Sequence, residues 1–123
     1  MKSVAVLAIV VLLAGCTATP PVEFTDSDAQ VSCGTFDLGL METLPDDAAD
    51  CLHDAAGTAA AELVMTRLTE EGDPVTSYFH TSADRERITV YVDATQDSFG
   101  SKKWMTLQCP ADVDPMRMTG CTE

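Results

Sequence analysis

Ile88, Val90 and Val92 alternate with Thr89, Tyr91 and Asp93. A period of two predicts a strand with one face in a core and one face outside it. Met105, Leu107 and Cys109 repeat the pattern over Trp104 to Cys109. Val75 to Ser82 is rich in β-formers, among them Val75, Thr76, Tyr78 and Phe79. "EEGDP" (Glu70 to Pro74) is a turn signal before it, and Ala83-Asp84-Arg85 is one after it. Glu62 to Thr69 then reads as a further strand, since Val64, Met65, Thr66 and Leu68 suit a pleated surface. Residues 58–68 also fit the extension of a preceding helix. That helix is predicted in "LPDDAADCLHDAAG", where Pro45 suits the first turn and Asp46 and Asp47 complement the positive helix start. Cys51, Leu52, Ala55, Ala56 and Ala59 form its apolar stripe; Asp47, Asp50, His53 and Asp54 form its wet side. "VSCGTFDLG", from Val31, is a short strand or an extended segment. After Pro110 the chain reads as loop, held through Cys121. The expected fold class is α+β: one helix packed on an antiparallel sheet of about four strands, two-layer and disulfide-stapled.

One apolar stretch falls outside this scheme. Val4 to Ala14 is 11 residues without a charge, after a single Lys2. A membrane-spanning helix needs about 20 apolar residues. A basic start, a short apolar middle and small residues after it describe a secretory signal peptide. Leu13-Ala14-Gly15-Cys16 resembles the lipobox of bacterial lipoproteins. That resemblance implies cleavage before Cys16 and a lipid on its thiol, and two or three chains make a stable anchor. The expected organisation is a lipoprotein signal peptide over 1–15, a lipidated Cys16 with a flexible tether over 16–30, and one α+β domain over 31–123. Thr17 to Gln30 is rich in Pro, Thr, Ser and acids, and 14 such residues reach roughly 20 Å. The expected address is the extracytoplasmic face of the bacterial cell membrane.

Charge narrows the partners. Removing residues 1–15 from 123 leaves 108 residues, six basic and 20 acidic side chains, and a formal charge of −14. Such a chain repels phosphates, which argues against nucleic acid. It favours a basic protein partner. Once Cys16 is lipidated, Cys33, Cys51, Cys109 and Cys121 form an even set in an exported domain, the pattern of disulfides. Short loops favour Cys33–Cys51 with Cys109–Cys121. Cys51–Cys109 remains an alternative, because Cys109 shares the inward face of Met105 and Leu107 while Cys51 lies on the helix stripe. No Cys-x-x-Cys spacing is present, so no zinc site is expected.

"EGDP" (Glu71 to Pro74), "VDATQDSFG" (Val92 to Gly100), "CG" (Cys33-Gly34) and Cys51 within "DCLHDA" together resemble small actinobacterial lipoproteins that carry a domain of unknown function. The resemblance covers about residues 32–109. It implies secretion, an anchored α+β module and no known catalytic activity, and it carries over no functional residues. Cys121 lies outside its pattern.

Nucleophilic catalysis needs a Ser, Thr or Cys beside a base. His53 and His80 are the two histidines. Ser77, Ser82 and Asp84 lie near His80 in sequence, but strand neighbours at odd spacing point in opposite directions. His53 and His80 are expected at the surface, and no catalytic residue is assigned. Asp93, Thr95 and Asp97 before Gly100 have oxygen-ligand spacing but lack the six positions and distal Glu of a calcium loop. No metal or cofactor is expected. Candidate partner contacts are Trp104, beside Lys102 and Lys103, and the acidic turn of Glu70, Glu71 and Asp73. The expected function is a monomeric, membrane-anchored, non-enzymatic binding module. The alternative is an inhibitor of a basic secreted hydrolase, a lysozyme or protease, drawn in by the acidic surface.

Overall fold

A computed structural model describes residues 18–29 and 31–123. The signal segment and Cys16 lie outside the described residues. A short helix, α1 (Val22–Thr25), precedes strand β1 (Val31–Leu38). Helix α2 (Asp46–Ala55) follows, then strands β2 (Ala61–Leu68), β3 (Pro74–Ser82), β4 (Arg85–Asp93) and β5 (Trp104–Pro110). The strands form one sheet in the order β1-β2-β3-β4-β5. The fold is α+β, with a helix on a sheet and two disulfides.

Two features of the expected sheet need correction. It has five strands rather than four, and it is mixed rather than antiparallel. β1 pairs parallel to β2, with Val31 opposite Ala61 and Leu38 opposite Arg67. The cause is the connection: α2 carries the chain back across the sheet, and a return of this kind leaves neighbouring strands pointing the same way. The remaining pairs are antiparallel hairpins or near-hairpins. Residues 61–68 are strand, which resolves the ambiguity between helix and strand. β1 contains an irregularity between Ser32 and Gly34, where Gly34 has φ +109°.

Alternation divides the sheet into two faces. Leu63, Met65, Phe79, Ile88, Val90 and Cys109 are buried on the core face. α2 covers the β1–β3 half of it through Ala48, Leu52 and Ala55. The second half is covered by the C-terminal segment, which the sequence presents as loop. Val113 is 2% exposed, and Met116, Met118 and Cys121 pack against the core. More than the Cys109–Cys121 bridge holds this segment. Thr122 bridges to Gln108, and Arg67 Nη1 donates to the Met116 carbonyl at 3.0 Å. His53 Nε2 donates to the Val113 carbonyl at 2.8 Å. His53 is therefore not an idle wet-face residue; it ties helix to tail.

Candidate functional site

The opposite, open face of the sheet carries an unusual set of side chains. Cross-strand register lines up Glu62 with His80, His80 with Thr89, Tyr78 with Tyr91 and Asp93 with Trp104. Directly opposed side chains on one face sit about 5 Å apart at Cβ. Tyr78 and Trp104, on β3 and β5, stack with ring centroids 5.9 Å apart. His80 meets Tyr91 edge-on at 5.2 Å. Three aromatic rings and an imidazole thus stand together where a solvated sheet face would carry small polar residues.

The segment expected to be only a flexible tether lies on this face. Its Phe24, in α1, sits with its ring 4.6 Å from Tyr78, 5.0 Å from Trp104, 5.5 Å from Tyr91 and 5.8 Å from His80, centroid to centroid. Tilted geometries at these separations are favourable for aromatic pairs. α1 is four residues long and contains no buried residue. A helix that short does not persist by itself in water. Its position depends on what Phe24 and Ser27 touch.

Ser27 supplies the polar half of the attachment. Its Oγ lies 2.9 Å from His80 Nδ1, and His80 Nε2 lies 2.7 Å from Glu62 Oε2. The carboxylate accepts, so Nε2 carries a proton; in the neutral ring Nδ1 then accepts from the Ser27 hydroxyl. His80 is 9% exposed, which corrects its expected surface position. Its partners come from 53 residues before it and 18 residues before it. Sequence neighbours Ser77, Ser82 and Asp84 are not among its hydrogen-bond partners. The connectivity Ser–His–carboxylate is that of a nucleophile activated by a base. In this chain it also fixes the tether on the sheet.

Burial raises the Tyr78 hydroxyl pKa above the ordinary tyrosine range, and the charges of Asp93 and then Glu62 raise it further. Burial, then Glu23, does the same to Tyr91. Both hydroxyls are held neutral in a field of carboxylates. Beside the rings, a cavity of about 210 Å³ opens between Glu23, Ser27, His80, Arg85 and Arg87. Neither arginine forms an ion pair among the described residues.

The sequence-derived candidates fall in different places. Trp104 belongs to the aromatic group. Glu70 and Glu71 are exposed on the β2–β3 turn. Asp73 is instead engaged in structure: its Oδ2 accepts from the Ser98 amide at 2.8 Å. The Asp93 and Asp97 carboxylates are likewise taken by local donors, Asp93 Oδ1 by Thr95 and Asp97 Oδ1 by the Phe99 and Gly100 amides. Among the described residues no three metal-ligating side chains converge. The disulfides join Cys33 to Cys51 and Cys109 to Cys121. The first pins β1 to α2; the second pins the tail to β5. Phe24, Tyr78 and Tyr91 were not singled out from sequence. The available signal was their placement: large aromatics at outward strand positions, and one phenylalanine inside a polar tether.

No family model, no curated protein and no solved structure matches this chain. No helix of the described residues is long and apolar enough to cross a membrane.

Proposed function

We propose that the protein is a lipid-anchored, extracytoplasmic binding module whose ligand face is the open side of its sheet. The observation that carries this reading is Phe24: the chain's own tether occupies a cup formed by Tyr78, Tyr91, Trp104 and His80. Aromatic residues on an outer sheet face need a cover. Here the cover is short, surface-borne and displaceable, so it acts as an internal stand-in for a ligand. The lipobox supports anchoring at Cys16, eight residues before Phe24. The acidic chain supports a basic or cationic partner and argues against nucleic acid.

Phe24→Ala should open the face without touching the core. The full-length protein in detergent, with and without this change, is dialysed against envelope extract, and retained compounds are identified by mass spectrometry. A ligand retained by Phe24→Ala, held less by wild type and released by a peptide spanning residues 18–29, is the expected outcome. Equal retention by both proteins defeats the proposal. Non-reducing peptide mapping tests the anchor: a diacylglyceryl group on Cys16 is expected, and an unmodified thiol there rules it out.

A second reading rests on Ser27, His80 and Glu62. If this relay is catalytic, Ser27→Ala abolishes turnover of an ester substrate and an active-site phosphonate labels Ser27. If the relay only latches the tether, neither occurs. An inhibitor of a basic hydrolase remains the alternative binding function; it requires inhibition that weakens as salt rises.

A further inference from the structure

The cup on the open face has a size and a charge environment that fit one chemical class. We propose that it is a binding site for a quaternary ammonium group, with Phe24 as its intramolecular plug. The inference rests on the reading of the open face as a ligand face and names what that face takes.

The geometry comes first. Four ring centroids lie between 4.6 and 5.8 Å from the centre of the Phe24 ring. A cation placed there stands within about 6 Å of every ring centroid, the range in which a ring face that meets it attracts it. Tyr and Trp are the rings with the most negative faces, and they supply three of the four walls. A compact trimethylammonium group needs no hydrogen-bond donor or acceptor, and its methyl groups match an apolar wall.

The charge environment points the same way. Glu62 lies opposite His80, which is two residues from Tyr78. Asp93 lies two residues from Tyr91 and opposite Trp104. Both carboxylates stay with the sheet when the tether leaves. Their field is felt at the cup, because after burial they are what pushes the Tyr78 hydroxyl pKa upward. The basic side chains of this face, Arg85 and Arg87, line the neighbouring cavity with Glu23, His80 and Tyr91, at the end of β4 away from Asp93. Phe24 fills the volume and, being neutral, adds no charge to the two carboxylates, whose partners are the hydrogen-bond donors of His80 and Thr95. A neutral plug in a site poised for a cation is displaceable by the correct ligand at modest concentration, since the plug lowers apparent affinity only by its own occupancy.

Trp104 is the chain's single tryptophan, so its emission reports the cup directly. The test uses full-length protein in detergent, as wild type and Phe24→Ala. The probes are choline, its uncharged carbon isostere dimethylbutanol, and acetyl-phenylalanine amide. Phe24→Ala should bind choline saturably and about tenfold more tightly than dimethylbutanol. Wild type should bind choline more weakly than Phe24→Ala. Ser27→Ala, which loosens the tether and keeps Phe24, should fall between the two and provides a second route if Phe24→Ala misfolds. Tyr78→Leu in the Phe24→Ala background should erase the preference for charge. Phosphatidylcholine vesicles beside free choline distinguish a lipid headgroup from a solute as the source of the ligand; a response to either supports the site.

Equal affinity for choline and dimethylbutanol overturns the cation proposal, and so does binding of acetyl-phenylalanine amide alone. Both outcomes leave the open face as a ligand face. Folded Phe24→Ala whose Trp104 emission responds to no probe overturns the cation proposal and removes the support for the ligand face with it.

Discussion

Gly34 shows how one residue sets the shape of β1. With φ +109° it occupies backbone space that residues with a Cβ rarely adopt. A Cβ added there would stand 2.6 Å from the Phe36 ring. Gly34→Ala should therefore cost about 1–3 kcal/mol in urea unfolding. A loss under 0.5 kcal/mol, an order-of-magnitude threshold for surface changes, would mean the irregularity relaxes freely. Tyr78 and Tyr91 support a second prediction, because they are the chain's only tyrosines. Their folded-state pKa values are raised, so the folded protein keeps protons that the unfolded chain releases. Their contribution to stability is complete below the ordinary tyrosine pKa of about 10 and is lost as pH rises through the folded values. Alkaline titration followed by tyrosinate absorbance should show late ionisation in wild type. Phe24→Ala should bring it earlier by rehydrating both hydroxyls; an unchanged curve would show that Phe24 does not cover them.

At the scale of elements, α2 matters through what it joins. Its apolar side was legible from sequence as a 3.6-residue stripe. Its consequence for the sheet was not, because a helix pattern says nothing about which strand it returns the chain to. The Cys33–Cys51 bridge locks this crossover, its ends 18 positions apart in sequence. Replacing both cysteines by serine should cost about 3 kcal/mol, read as a shift of the denaturation midpoint. Trp104 emission should keep its native value at temperatures where the variant remains folded, since the aromatic cup lies on the other face. Loss of that signal in a folded variant would show that the two faces are coupled. The tail illustrates a different limit. Its core-packing residues, the buried Val113 and the partly buried Met116 and Met118, are spaced irregularly and give no periodic signal. They cover the core through contacts with residues distant in sequence.

For the whole molecule, charge is the dominant property. Lys2 apart, six basic side chains face 20 acidic ones, and only the His80–Glu62 and Arg117–Asp114 pairs form among the described residues. Self-repulsion of this kind destabilises a compact state and is screened by salt. Raising salt from about 10 mM to about 150 mM should increase Tm by roughly 4 °C, equivalent to about 1 kcal/mol for a domain of this size. An unchanged or lower Tm would mean that the acids are already compensated. The same surface charge would speed capture of a cationic ligand, and that capture would slow as salt rises.

Local chemistry in the sequence determined β3, β4, β5 and helix α2, with the half-buried alternation of β4 and β5, because a strand repeats every two residues and a helix every 3.6 whatever surrounds them. It also carried the cysteines that staple the fold. Only the tertiary structure decided that β1 lies parallel to β2, that an aperiodic tail completes the core, and that His80 takes Ser27 and Glu62 as partners. Each of these is a contact between segments with no local signature. The aromatic cup belongs to the second group: its rings come from three strands, its occupant from the tether, and no single stretch of chain contains the site.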